Sequence, residues 1–286
     1  MSGHSPSQTA RSVAVLRAAH QLLDSAPPVL EDPIILQLIG TEGARSIIDD
    51  AAAYQTPINR GLRAHIVLRS RFAEDRLAAA VQRGVRQCVI LGAGFDTFAY
   101  RQPEWAHALR IIEVDMPAIQ TLKRERFAAR GIVTPANVNY ASVDFERESL
   151  RDGLVRNGVS VVKPTFFSWL GVTVYLTEPA VDAVLRTVVA FPADSEIVFT
   201  FAQPRLPAPN ASPDAAKQPT LPELAAEAGE PWRTYFDVDA LDRKLRTIGF
   251  PTPEFLTQAL ANELYFADRP DGLSAPKRTS IVSARV

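Results

Sequence analysis

Two glycines separated by one residue follow directly on an apolar run in Cys88-Val-Ile-Leu-Gly-Ala-Gly-Phe-Asp-Thr97. An apolar strand ending in Gly-x-Gly brings bare backbone close to whatever lies above a sheet, because Gly92 and Gly94 carry no Cβ and Ala93 carries only a methyl. About twenty residues later a second apolar run ends in acid, Leu109-Arg-Ile-Ile-Glu113-Val-Asp115, the spacing of a carboxylate that accepts from ribose hydroxyls. The two segments together predict a site for a nucleoside-containing cofactor. Glu113 and Asp115 alternate around Val114 and share one face of the strand, and the residue at the strand end normally reaches the ribose.

The residues between the glycines and the acid separate two such cofactors. A dinucleotide turn needs a third Gly or Ala where this chain has Thr97. It also needs a helix N-terminus free to hold a pyrophosphate, whereas Asp96 sits in the turn and repels phosphate charge. S-adenosyl-L-methionine carries no phosphate, and its sulfonium and ammonium are cationic, so an acid-lined pocket favours it. No metal is expected.

The elements that must position these residues can be read along the chain. Val13, Leu16, His20 and Leu23 lie at helical spacing before Pro27-Pro28, and Asp32-Pro33 is a cap followed by proline at the first helical position. A longer helix is expected from about Asn59 to Arg83, with Leu62, Ile66, Ala73, Leu77 and Ala80 on one face. Arg69 falls at the edge of that face and Arg71 nearly opposite, so if one guanidinium turns inward it should be Arg69, the alternative being a stem that packs while its head reaches water. A buried arginine needs an anion, and the amino-acid carboxylate of the cofactor is a suitable bidentate one. From Gln87 onward strands and helices alternate, which predicts an α/β doubly wound sheet. Its strands are expected at Gln87–Leu91, Arg110–Val114, Asn139–Val143, Thr165–Trp169 and Glu196–Phe201. A helix near Val238–Ile248, stopped by Gly249, and late strands around Phe255 and Thr279–Ala284 follow. Between Phe201 and Trp232 lie Pro204, Pro207, Pro209, Pro213, Pro219 and Pro222, which exclude helix or central strand from much of a lid or connector at about 202–232.

Length and composition agree with one domain, helical over 1–84 and cofactor-binding α/β over 85–286. A formal net charge of −1 gives no electrostatic case for nucleic acid, which needs concentrated Lys and Arg. The single cysteine, Cys88, lies in an apolar strand and reads as a packed thiol. The polar N-terminus carries no apolar signal core and no apolar run is long enough for a membrane span, so the cytoplasm is the expected compartment and no membrane partner is expected. Oligomeric state is not legible.

The chain resembles the S-adenosylmethionine-dependent methyltransferases of the leucine carboxyl methyltransferase type, including their bacterial members. The resemblance runs in order through Thr9-Ala10, Arg17-Ala-Ala19, Glu31-Asp-Pro33, Arg69-Ser-Arg-Phe72, Leu91-Gly-Ala-Gly-Phe-Asp-Thr97 and Glu113-Val-Asp115-Met-Pro117 with Lys123 following. It continues in Val143-Asp144-Phe145 and Trp169-Leu-Gly-Val-Thr-Val-Tyr-Leu176. It implies a class I methyltransferase fold, a Rossmann-like sheet that is mostly parallel with an antiparallel C-terminal edge strand, under an N-terminal helical cap. It also implies Arg69 at the cofactor, Asp115 at the ribose, Asp144 at the adenine amino group and the Phe145 N–H at a ring nitrogen. Leu170 stands where many members carry a cofactor-contacting Glu, and Ile90 where an acid usually precedes the first glycine.

Tyr175 ends the run from Trp169 on the ligand side, where its hydroxyl can orient an acceptor oxygen or simply serve a core aromatic. His65 and His107 are possible bases, but neither belongs to a recognisable triad. The expected reaction is in-line displacement at the cofactor methyl by an oxygen of a small organic acceptor, first of all a carboxylate, which needs no general base. The alternatives are an NAD-dependent oxidoreductase and a cofactor-binding protein without catalysis.

Overall fold

The computed structural model describes residues 8–204, 220–227 and 229–286. Seven strands form one sheet: β1 (Gln87–Leu91), β2 (Arg110–Asp115), β3 (Val138–Ser142), β4 (Thr165–Trp169), β5 (Glu196–Thr200), β6 (Glu254–Phe255) and β7 (Ile281–Arg285). Their order is β3-β2-β1-β4-β5-β7-β6. The first five run parallel, and β7 pairs antiparallel with both β5 and β6. The order reverses between β1 and β4, and in such sheets ligands bind beyond the carboxyl ends of the strands at that crevice. Strand β1 is buried at every position, as its apolar sequence requires when helices cover both faces.

Four helices precede the sheet: α1 (Gln8–Leu23), α2 (Pro33–Asp49), α3 (Ala51–Tyr54) and α4 (Pro57–Gln82). Asp32 caps α2 by accepting from Ile35 N at 3.0 Å. Thr56 caps α4, with Pro57 at its first position, where the absent N–H would lack a partner in any case. The remaining helices are α5 (Pro117–Ala129), α6 (Leu150–Arg156), α7 (Glu178–Val189), α8 (Leu221–Glu227), α9 (Val238–Ile248) and α10 (Gln258–Ala261). Helix α9 stops at Gly249 in a positive-φ conformation. Of the proline-rich stretch, residues 205–219 lie outside the described residues. Its last part is helical as α8, because Pro222 occupies the first turn, where no N–H is needed.

Strand alternation sends Cys88, Ile90 and Phe166 toward α4 and Val89, Leu91, Phe167 and Trp169 into the opposite layer with Val184 and Leu241. A third apolar cluster joins Ala18, Ile35 and Leu38 of the first two helices to Phe95, just after β1, and Phe127 of α5. The N-terminal helices therefore pack directly on the glycine turn.

A buried polar group locks these helices together. Arg63 donates to both carboxylate oxygens of Asp24, at 2.8 and 2.7 Å. His20 Nδ1 meets Asp24 at 2.7 Å while its Nε2 accepts from Val29 N at 3.0 Å, a pattern that fixes the neutral tautomer. Burial alone would raise the Asp24 pKa, but the hydrogen bonds from His20 and Arg63 bring it below its ordinary value. Such a depressed carboxylate adds stability above its unfolded pKa and loses it as pH falls through the folded one. Asp24→Asn should cost about 3 kcal/mol at neutral pH in urea unfolding, because it strips the buried Arg63 of its counter-ion. The gap from the parent should shrink as pH falls below the ordinary aspartate value, where the unfolded chain binds the proton first, and close as pH passes through the lower folded pKa.

Candidate active site

At the carboxyl edge of β1 the chain turns with Gly92 at φ 65° and Gly94 at φ 45°, conformations that side-chain-bearing residues rarely adopt. Gly92 N and Ala93 N both donate to Val114 O, at 2.7 and 3.1 Å, so the turn is stitched to β2. A Cβ on Gly92 would lie 2.3 Å from a Val172 methyl, whereas at Gly94 the nearest neighbour would be Ala10 Cβ at 3.7 Å. Gly92 is thus required by space as well as conformation, and Gly94 by conformation.

Asp115 closes this cradle from β2. Its Oδ2 accepts from Gly94 N and its Oδ1 from Met116 N, each at 2.7 Å. Burial raises its pKa while those two N–H groups oppose the rise. A carboxylate offers about four lone-pair sites, so two remain for a ligand at this half-buried position. The expectation of Glu113 at the ligand surface is corrected: it is fully buried, and its Oε2 takes Lys123 Nζ at 2.7 Å behind the turn. Burial raises its pKa to about 7 despite the lysine.

The far side of the turn belongs to a buried polar network. Thr97 Oγ1 donates to Asp32 Oδ2 at 2.7 Å and accepts from Arg17 at 2.9 Å and Arg101 at 3.0 Å. Arg17 also meets Asp32 at 2.7 Å and lies 3.6 Å from Asp96. Arg101 forms a two-pronged pair with Glu74 of α4. Asp96 Oδ1 accepts from Phe98 N at 2.8 Å. Burial would raise the Asp96 pKa, but Arg17, Lys123 and Arg101 bring it below the usual value. The position that a dinucleotide turn reserves for a small residue is filled here by Thr97 and its partners.

Helix α4 presents Arg69 to the crevice. Its guanidinium lies against Gly171, where a Cβ would be 2.7 Å from Nη1. Among the described residues it makes no hydrogen bond or ion pair, and burial together with nearby Arg17 lowers its pKa to about 10. It stays charged at neutral pH, with Asp96 near enough to oppose the fall in its pKa but no ion pair among the described residues. Arg71 instead points outward and pairs with Asp75 at 2.9 Å on the surface.

Beyond β4 the chain leaves the sheet through Gly171 at φ 77°, and Tyr175 ends a short 3-10 turn, Thr173–Tyr175. Thr9 and Trp232 approach its hydroxyl, and burial raises its pKa, so it remains a donor. Trp232 Nε1 is buried without a well-formed hydrogen bond. His65, one turn before Arg69, has its pKa pushed down to about 3 by burial and by Arg69, which leaves it a poor base. His107 is exposed at the end of a surface turn. Asp144 follows β3, half-buried, with Oδ1 accepting from Glu146 N at 3.0 Å. Phe145 sets its ring edge-on to Trp169, 6.4 Å between centroids. Leu170 packs on the α4 side and lines a small cavity with Ser70, Glu74, Asp96 and Ser168.

The structure therefore gathers Gly92, Ala93, Gly94 and Asp96 in one turn with Asp115 of β2 hydrogen-bonded to it, Arg69, Leu170 and Tyr175 on the β4 side, and Asp144 and Phe145 beyond β3. Sequence reasoning passed over Glu74, Arg101, Val172 and Trp232. Glu74 had a signal, an acid among Ser70, Ala73 and Leu77 on a face that is otherwise small and apolar. Val172 had none, since its contact with Gly92 exists only in the folded chain.

A sheet of order β3-β2-β1-β4-β5-β7-β6, parallel except for β7 inserted antiparallel between β5 and β6, with a glycine turn after β1 and an acid at the end of β2, is the class I methyltransferase fold. Residues 10–189 match the leucine carboxyl methyltransferase family. The chain belongs to that family and is an S-adenosyl-L-methionine-dependent methyltransferase. It is 32% identical over 208 residues, 72% of this chain and 67% of the relative, to the "Putative S-adenosyl-L-methionine-dependent methyltransferase YktD" of Bacillus subtilis. A protein of the same description from Mycolicibacterium paratuberculosis is 30% identical over 241 residues, 81% of this chain and 75% of the relative. In fold the chain is similar to a DUF574-family protein from Streptomyces avermitilis, with a TM-score of 0.56, 16% identity and 96% and 95% of the two chains covered.

The residues present fit this cofactor: a turn whose Gly94 leaves bare backbone with no neighbour closer than 3.7 Å to an added Cβ, free acceptor capacity on Asp115, an Arg69 without an ion pair among the described residues, and an acid where a phosphate would have to sit. Gly92→Ala should lower stability by about 1–3 kcal/mol through overpacking against Val172 and abolish measurable cofactor binding in calorimetry. Asp115→Ala should weaken that binding by about 1–3 kcal/mol, with circular dichroism unchanged. Undiminished affinity in both variants would remove the turn from the site.

Proposed function

We propose that the protein transfers the methyl group to an oxygen of a small organic acceptor, and that the acceptor is a carboxylate which becomes a methyl ester. The cofactor supplies a methyl group on a sulfonium, already electrophilic. The chain's own residues then need to bind, orient and exclude water. In this reading Arg69 takes the amino-acid carboxylate, Asp115 the ribose hydroxyls, Asp144 and the Phe145 N–H the adenine, and Gly92, Ala93, Gly94 and Asp96 carry the turn beneath them. Leu170 forms an apolar wall. Tyr175 directs its hydroxyl to the acceptor, and residues 8–84 act as a helical cap on a single catalytic domain.

One observation carries the choice of acceptor: the histidine that shares a helix face with Arg69 has its pKa at about 3, and burial keeps Tyr175 protonated. A phenol or alcohol acceptor would need a base at this place. A carboxylate arrives as an anion, and its approach to the sulfonium neutralises charge, which a dry pocket favours.

Labelled methyl transferred from S-adenosyl-L-methionine to a metabolite extract should be released as methanol by mild alkali. Alkali-stable label would contradict the ester and point to an ether or N-methyl product, and label that never leaves the cofactor would favour binding without catalysis.

Arg69→Ala should lose far more cofactor affinity than Arg71→Ala, because only Arg69 faces the crevice without an ion pair among the described residues. An analogue lacking the carboxylate should bind the parent and Arg69→Ala equally. A difference between those two would give Arg69 another partner.

A further inference from the structure

Lys123 of α5 is only 1% exposed, yet it is a lysine. Its Nζ donates to Glu113 Oε2 and to the main-chain carbonyl of Asp96, each at 2.7 Å. It also stands 5.2 Å from the ring centre of Tyr100 and 5.4 Å from that of Phe127. Removing two charges from water costs several kcal/mol per ion, and well-packed apolar residues often stabilise such a place as well or better. Stability alone is therefore a weak reason for this pair.

The surroundings give a stronger one. Asp96 N donates to Ala93 O at 2.7 Å and Asp96 Oδ1 accepts from Phe98 N at 2.8 Å, so both of those contacts are local to the turn. Among the described residues, only Lys123 holds the Asp96 main chain from another element. Among the described residues Glu113 Oε1 has no hydrogen-bond partner, so Glu113 serves as a counter-ion to Lys123 more than as a hub of its own.

We propose that Lys123 is a positioning residue: its ammonium, neutralised by Glu113, clamps the Asp96 carbonyl and sets the path of the turn from Gly92 to Asp96 on which the cofactor rests. The inference rests on the cofactor reading above and adds to it two charged residues, Glu113 and Lys123, that lie buried behind the turn. An ammonium donates up to three hydrogen bonds, so one group can bind the carboxylate of β2 and the carbonyl of the turn at once. A methionine of similar length would fill the volume and hold neither.

Three variants separate a clamp from a merely structural pair: Glu113→Gln, Lys123→Met and the double variant. Calorimetry with S-adenosyl-L-methionine, thermal unfolding, and hydrogen exchange of the Gly92–Phe98 amides without added cofactor are measured on each. Glu113→Gln leaves the clamp in place and should bind within about twofold of the parent, while Lys123→Met should bind about tenfold or more weakly, as loss of a charged hydrogen bond implies. Lys123→Met should also exchange faster at Gly94–Phe98. The double variant should recover stability, because no lone charge is left buried, but should recover neither affinity nor slow exchange. Affinity that returns together with stability, or a Glu113→Gln defect as large as that of Lys123→Met, would overturn the proposal. If Lys123→Met does not fold, the double variant and Glu113→Gln decide in the same way. A parent that fails to bind the cofactor would defeat the cofactor reading, and the exchange measurement would still test the clamp.

Discussion

The structure depends on how the backbone leaves β1. Two residues there adopt left-handed conformations, which glycine tolerates at an entropic cost to the folded state, and the exposed N–H and C=O groups of the turn must find partners. Besides the Asp96 N to Ala93 O bond within the turn, they find them on other elements: Val114 O takes two amides, Asp115 takes the Gly94 amide, and Lys123 takes the Asp96 carbonyl. Strand β2 and helix α5 are thereby bound to the turn, and the order of the sheet places all of this at the crevice beside β4. The fold and the site share the same few hydrogen bonds.

Charge explains why a helical cap belongs to this sheet. Arg17 of α1, Asp32 at the start of α2, Glu74 of α4 and Arg101 after β1 meet around Thr97. Buried charges in this number persist only when paired, and here the pairs cross from the cap to the turn. Arg69 is the exception within the group. It is half-buried and, among the described residues, forms no ion pair, so in the proposed reading a ligand carboxylate would supply its partner. In the proposed reading the acids Asp96 and Asp115 disfavour phosphate, so the pocket would favour a sulfonium nucleoside over a dinucleotide.

Much of the fold was legible because the responsible interactions are local or periodic. Strands β1 and β4 and helix α9 lie where the sequence places them, since apolar runs, Asp237 as a cap and Gly249 as a stop act over a few residues. The inward phase of Arg69 follows from helical periodicity alone. Other parts were hidden because they are made by distant residues. Glu113 and Asp115 alternate identically in sequence, and only Lys123, approaching from α5, closes off the first and leaves the second open. The helix at Leu221–Glu227 was obscured by counting prolines without weighing that Pro222 falls in its first turn. The contact of Val172 with Gly92 has no sequence signature at all.

A crystal structure with S-adenosyl-L-homocysteine tests the central claim most directly. The account predicts the ribose on Asp115, the amino-acid carboxylate on the Arg69 guanidinium, and the Gly92–Asp96 turn in the conformation described above. A ligand bound away from the β1/β4 crevice, or Arg69 swung to solvent with the carboxylate held elsewhere, would contradict it.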